Sequence, residues 1–208
     1  MAYLRTITNF KSALQGGGTR PNLFEVRMPN LPVAAEGADW DATEFEFLCK
    51  AAALPASNIA SIDVPFRGRI FKVAGDRTFD TWTITVINDE DFKIRNALEN
   101  WMNGISKLDN ATGATEPNSY MVNAEVYQLG KGYDKGRFSD TNNGGTAAGA
   151  SSITPLKSYK FYDIFPTNIA AIDLSYDSSD TIEEYTVEFQ VQYWTAGETP
   201  DQTGITLT

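Results

Sequence analysis

The chain has 208 residues, 42% of them hydrophobic and 12% aromatic, enough to bury one core or two lobes without disulfides or metals. Its 17 basic side chains against 27 acidic ones leave a net charge of −10, the wrong sign for holding phosphates by counterion release, which argues against tight nucleic-acid binding. Histidine is absent and Cys49 is the only cysteine, so intramolecular disulfides are excluded and the usual parts of zinc sites and nucleophile triads are missing. Catalysis would have to rest on carboxylates.

The first thirty residues lack an apolar run of about 7 to 15 residues behind a basic start, and no apolar stretch reaches about 18 residues. The expectation is a soluble protein made in a cytosol, with no membrane span. Residues 6–14 (TITNFKSAL) predict a short helix ended by Gly16–Gly18 and Arg20-Pro21, and NLFEVRM (22–28) alternates like a strand closed by Pro29 and Pro32. Residues 34–46 (AAEGADWDATEFE) are acidic and aperiodic; segment 36–47 reads as an exposed acidic loop. Cys49, in FLCKAAAL, reads as a mostly buried thiol.

The heptad NIASIDV (58–64) recurs almost unchanged as NIAAIDL (168–174), each shortly after a proline, Pro55 and Pro166. After the first copy come PFRGRIFKV, the turn signal AGDR and TFDTWTITVI, in which Trp82, Ile84 and Val86 share one face and Thr81, Thr83 and Thr85 the other. After the second come SY, DSSD and TIEEYTVEFQVQYW, with Tyr185, Val187, Phe189, Val191 and Tyr193 opposite Glu184, Thr186, Glu188, Gln190 and Gln192. Two related hairpins are therefore predicted, an internal duplication, with Gly68 suited to a bulge in the first.

Between them, NDEDFKIRNALENWMNGI predicts the best helix of the chain. Asn88 or Asp89 would cap it, three acids would oppose its dipole, and Gly104 would stop it. Ile94, Ala97, Leu98, Trp101, Met102 and Ile105 form one apolar stripe, which makes Trp101 a core residue rather than a ligand platform. YMVNAEVYQL (120–129) alternates as a strand. Residues 139–155 read as a Gly/Ser/Thr-rich flexible loop and 199–208 as a C-terminal tail.

Three stretches imitate chemistry. QGGGTRP lacks the Lys-Ser/Thr of a phosphate loop, and DWD and DSSD lack the spaced ligands of a calcium loop. Glu184 and Glu188 stand about 13 Å apart by strand rise, beyond the roughly 5 to 9.5 Å of glycosidase carboxylate pairs. No catalytic residue, cofactor site or metal site is predicted.

The polar faces of the two hairpins remain: Asp63, Arg67, Thr81, Thr83 and Thr85 on the first, Asp173, Ser175, Glu184, Thr186 and Glu188 on the second. Long hairpins without edge protection are sticky, and the simplest cap is another copy, edge to edge in a head-to-tail contact that closes a ring.

In its order of segments the chain resembles the tail tube proteins of contractile-tailed bacteriophages, which are related to the inner-tube proteins of contractile injection machines. The resemblance is carried by FKSALQGGGTRPNLFEVRMP, FLCKAAALPASNIASIDVPFRGR, GDRTFDTWTITVINDEDFKIRNALENWMNGI, AEVYQLG and YKFYDIFPTNIAAIDLSYDSSDTIEEYTVEFQVQYW. It implies a mainly β (α+β) fold, one tail-tube domain over 1–208, an antiparallel sandwich or partial barrel whose hairpins join neighbouring subunits into a ring-closed barrel. It further implies hexameric rings stacked into a virion tube, assembled in the host cytoplasm beside tail sheath, baseplate, tape-measure and tail-terminator proteins, which conducts phage DNA without binding it tightly. A carboxylate-rich lumen suits transit, because repulsion over a screening length of about 8 to 10 Å centres a polyanion without trapping it. The ten polar-face residues above are thus the expected channel lining, net acidic through Asp63, Asp173, Glu184 and Glu188. The alternatives are the inner tube of a bacteriocin or type VI-like secretion machine and, from another class, a carbohydrate-binding β-sandwich, against which the core parity of the aromatics argues.

Overall fold

A computed structural model describes residues 6–14, 18–35, 37–130, 155–177 and 179–197. The predicted loop 139–155, but for its last residue, and the tail 199–208 lie outside them. The chain divides into two compact units, one of Val26–Glu125 and Lys160–Thr195, the other of Met1–Glu25, Val126–Tyr159 and Ala196–Thr208.

The smaller unit holds α1 (Ile7–Ala13), whose N-cap Thr6 accepts a hydrogen bond from the Asn9 amide. Here too Gln128 donates through Nε2 to the carbonyls of Arg20 and Leu23. Strands β1 (Phe24–Arg27), β6 (Val122–Gln128) and β7 (Lys157–Ile169) have residues in both units.

In the larger unit the acidic stretch is not an irregular loop. Val33–Ala35 forms a 3-10 turn, and Ala42–Leu48 forms helix α2. Asp41 caps α2, its Oδ1 accepting from the amides of Thr43 and Glu44, and this local capping outweighs the poor periodicity. Phe45 is buried and packs on Trp40. Then follow β2 (Cys49–Ala52), β3 (Ser57–Phe66), β4 (Arg69–Phe79), β5 (Trp82–Ile87), α3 (Lys93–Ile105), α4 (Pro117–Tyr120) and β8 (Glu184–Gln190), while β9 (Tyr193–Gly197), like β1, β6 and β7, has residues in both units.

Seven strands make one sheet in the order β1-β6-β7-β8-β5-β2, with β9 beside β7. The pairs β2–β5, β5–β8 and β7–β8 are antiparallel, and among the described residues the sheet does not close into a barrel. In β5 and β8 the predicted alternation sets the register: Trp82 faces Phe189, Ile84 faces Val187 and Val86 faces Tyr185 on the buried side. Trp82 stacks on Phe161 at 4.7 Å and leans on Phe189, which meets Trp101 of α3. Ile94, Ala97, Leu98 and Trp101 of the predicted stripe are buried, and the Trp101 indole donates to the Tyr120 carbonyl at 2.8 Å.

Both ends of α3 differ from the sequence reading. The helix begins at Lys93, and its N-cap position is Phe92 in a left-handed conformation, with no side-chain cap. Asn88 is committed elsewhere: its amide and Nδ2 bind the carbonyl and Oε2 of Glu183, tying the end of β5 to the start of β8. Gly104 does not stop the helix, which runs to Ile105. It admits the 3-10 turn instead, since a Cβ there would sit 1.8 Å from the Ala34 carbonyl oxygen.

Candidate assembly surface

Strands β3 and β4 leave the main sheet as a separate two-stranded ribbon. Two backbone bonds span the exit: Ala53 N–H donates to the Thr83 carbonyl and Asp80 N–H to the Ala56 carbonyl. The ribbon thus prolongs the β2–β5 pair. Its turn is Arg67-Gly68, with φ of 45° and 83°, the two left-handed residues of a tight hairpin turn. The predicted turn AGDR lies inside β4 instead. There the register slips between Ile59 and Ser61, and Gly75 lets β4 bulge past Ala60, whose carbonyl oxygen would lie 3.2 Å from an added Cβ.

Pairing assigns the faces. Ser61 with Ala74, Asp63 with Lys72 and Pro65 with Ile70 share one; Ile62 with Val73, Val64 with Phe71 and Phe66 with Arg69 share the other. On the first face Lys72 Nζ reaches Asp63 at 3.2 Å. The second presents Ile62, Val64, Phe66, Phe71 and Val73, all exposed. Every residue of β3 is exposed.

The second predicted hairpin is formed only at its base. Strands β7 and β8 pair through Phe165–Gln190 to Ile169–Val187, and Ala170 N–H still donates to the Thr186 carbonyl. The described residues of 170–183 then carry no strand and expose Leu174, Tyr176 and Ile182. Each repeated heptad nonetheless begins where the chain leaves the sheet, just after a buried proline: Pro55 before β3, Pro166 before the 170–183 excursion.

The expected lining residues fall into three places. Thr83 faces Glu188, Thr85 faces Thr186 and Ile87 faces Glu184 on the half-buried, outward side of β5–β8. Asp63 lies on the polar face of the ribbon, and Arg67 forms its turn. Asp173 and Ser175 lie in the excursion, and Thr81 in the short link between β4 and β5. Sequence reasoning missed the cations beside them. Lys72 pairs with Asp63, and Lys50 of β2 pairs with Glu184. The cross-strand register would have revealed Lys72, but it depends on the turn position.

The remaining titratable features are structural. The buried Cys49 thiol is pushed up to about 12 by loss of water, partly offset by a backbone hydrogen bond at Ala51. Burial likewise raises the Tyr185 phenol, while the Arg95 guanidinium, 5.1 Å above its ring, pulls it down. Among the described residues no three His, Cys, Asp or Glu side chains are grouped to hold a metal ion. No helix among them is long and apolar enough to cross a membrane.

The family profile described as "Phage tail tube protein" matches residues 19–197. The chain belongs to the phage tail tube protein family. Among relatives of this family, tail tube protein gp19 of Enterobacteria phage T4 is 32% identical over 179 residues, covering 86% of this chain and 92% of the relative. The tail tube protein of Serratia phage KSP90 is 22% identical over 189 residues, covering 90% and 94%. The fold is shared with a chain of an extracellular contractile injection system sheath-tube complex (TM-score 0.52, 13% identity, covering 94% of this chain and 99% of that one). It is also shared with a chain of the anti-feeding prophage baseplate (TM-score 0.56, 9% identity, covering 87% and 96%). The tail tube protein is thus a structural component of the phage tail.

Proposed function

We propose that six copies form a ring and that rings stack into the inner tube of a contractile tail. In this reading the β3–β4 ribbons and 170–183 excursions of neighbouring copies join into one closed barrel. The single observation that carries it is the ribbon itself: a two-stranded sheet whose edges are open and whose apolar face is uncovered among the described residues is a poor end state for an isolated chain, and an edge-to-edge neighbour supplies what it lacks. The polar face turns inward, so Asp63, Arg67, Thr81, Thr83, Thr85, Asp173, Ser175, Glu184, Thr186 and Glu188 line the channel. Lys72 and Lys50 neutralise Asp63 and Glu184, and the acids of the excursion keep the wall net acidic. Duplex DNA then passes without a binding minimum. Outside the ring, sheath, baseplate, tape-measure and tail-terminator proteins are the partners, and assembly takes place in the host cytoplasm.

Electron microscopy of the concentrated purified protein tests this: open-centred rings or tubes with six-fold averages are expected, and a persistent monomer overturns it. For the channel, gel shift of short duplex DNA at about 50 mM salt should show no stoichiometric retention by assembled tubes. Retention would refute the unheld passage.

A further inference from the structure

The two extensions of the sheet carry opposite charge. The ribbon, residues 57–79, has four cations (Arg67, Arg69, Lys72, Arg77) against two acids (Asp63, Asp76), a net +2. The excursion, residues 170–183, has Asp173, Asp177, Asp180 and Glu183 and no cation, a net −4. From the assembly reading above, on which this rests, we infer that these charges form a pairing code: the ribbon of one copy accepts the excursion of a second copy and rejects another ribbon.

Sheet order says why the occupant is a second copy. In the path β7-β8-β5-β2, β2 stands at the end, and the two backbone bonds across the exit make β3 the prolongation of β2. The open edge of β3 therefore points away from the chain's own β7–β8 pair. Among the described residues of the same chain, no strand other than β4 pairs with it. Among the surfaces a second copy offers, the excursion matches in both respects, with exposed Leu174, Tyr176 and Ile182 for the apolar face and four acids for the cationic ribbon.

The rejected pairings matter as much. Ribbon against ribbon brings like charges of +2 together, and excursion against excursion brings −4 to −4, so two symmetric dead ends are disfavoured and head-to-tail order remains. Since the screening length shrinks from about 8–10 Å at physiological salt to about 3 Å at 1 M, the discrimination fades in high salt.

The test uses two full-length variants. Arg69→Glu with Arg77→Glu turns the ribbon to −2; Asp173→Lys, Asp177→Lys and Asp180→Lys turn the excursion to +2. All five positions are exposed, so both variants should keep the wild-type circular dichroism and melting temperature. Each alone should need at least tenfold more protein than wild type to form tubes, and an equimolar mixture should regain wild-type assembly within about threefold, because each reversed surface then meets an opposite one on its partner. A chain carrying all five substitutions should assemble with itself and not co-assemble with wild type. If either variant alone polymerises like wild type, or the mixture does not rescue, the code is overturned while the ring reading stands. If wild type forms no ring at all, the ring reading falls and the inference with it.

Discussion

Phe71 and Ile70 are adjacent on β4 and almost equally exposed, 65% and 64%, yet they lie on opposite faces of the ribbon. Phe71 stands across from Val64, between Ile62, Val73 and Phe66; Ile70 stands across from Pro65 on the face of the Asp63–Lys72 pair. If the apolar face is what a neighbour covers, truncating these two residues must have unequal consequences. Full burial of a phenylalanine is worth roughly 1.5–3 kcal/mol, and with about two thirds of Phe71 left to bury, Phe71→Ala removes roughly 1–2 kcal/mol per contact. At about 1.4 kcal/mol per tenfold, the concentration for half-assembly should rise roughly 5- to 30-fold. Ile70→Ala should shift it by less than about twofold. A dilution series followed by light scattering or sedimentation velocity reads both values. Neither residue belongs to the core, so the melting temperature of dilute monomer should not move. Equal shifts for the two variants, or a larger one for Ile70→Ala, would refute the face assignment.

Gly104→Ala should destabilise the fold by about 2–3 kcal/mol: helix propensity gains about 1 kcal/mol, but the methyl must displace the Ala34 carbonyl, a backbone obstacle. Urea denaturation measures it, with Asn100→Ala as the exposed control on the same helix, and a variant as stable as wild type would contradict the close approach. Asn88→Ala loses the Glu183 clamp and should cost about 1 kcal/mol, with faster hydrogen exchange at the residue 88 amide. Stability should be full below about pH 9 and fall as pH rises toward 12. The folded state keeps the Cys49 and Tyr185 protons that the unfolded chain releases, which gives a limiting slope of about −1.4 kcal/mol per pH unit for each. Urea midpoints between pH 7 and 10.5 check this. Cys49→Ala should flatten the first part of the decline, and no decline in wild type would show that these groups are not buried.

How much of this was legible in the sequence depends on which forces are local. Strands β5 and β8 were readable because their core faces alternate without interruption, and Trp82, Ile84, Val86, Tyr185, Val187 and Phe189 are all buried. The α3 stripe placed Trp101 in the core for the same reason. The turn of the ribbon was misplaced because Gly68 and Gly75 give equivalent local signals, and only the ladder pairing decides which one turns and which one bulges. Moving the turn re-sorts every face, which is why Lys72 was not seen opposite Asp63. The start of α3 was missed because Asn88, a good cap by composition, finds a partner in Glu183, 95 residues away.

The unequal fates of the two repeats follow from the same accounting. The ribbon is closed by a two-residue turn, and its strands are tied by the Asp63–Lys72 ion pair and by apolar pairs such as Val64–Phe71, so it holds its shape in a single chain. The excursion has 14 residues between β7 and β8, four like charges that repel one another, and, among the described residues, no strand paired across from Leu174 or Tyr176. Its strand form gains nothing until a ladder is offered from outside, and a preformed cationic ribbon offers one while reducing the repulsion. In the proposed pairing of copies, then, one side is rigid before docking and the other would order on it, so the conformational cost would fall on only one of the two partners.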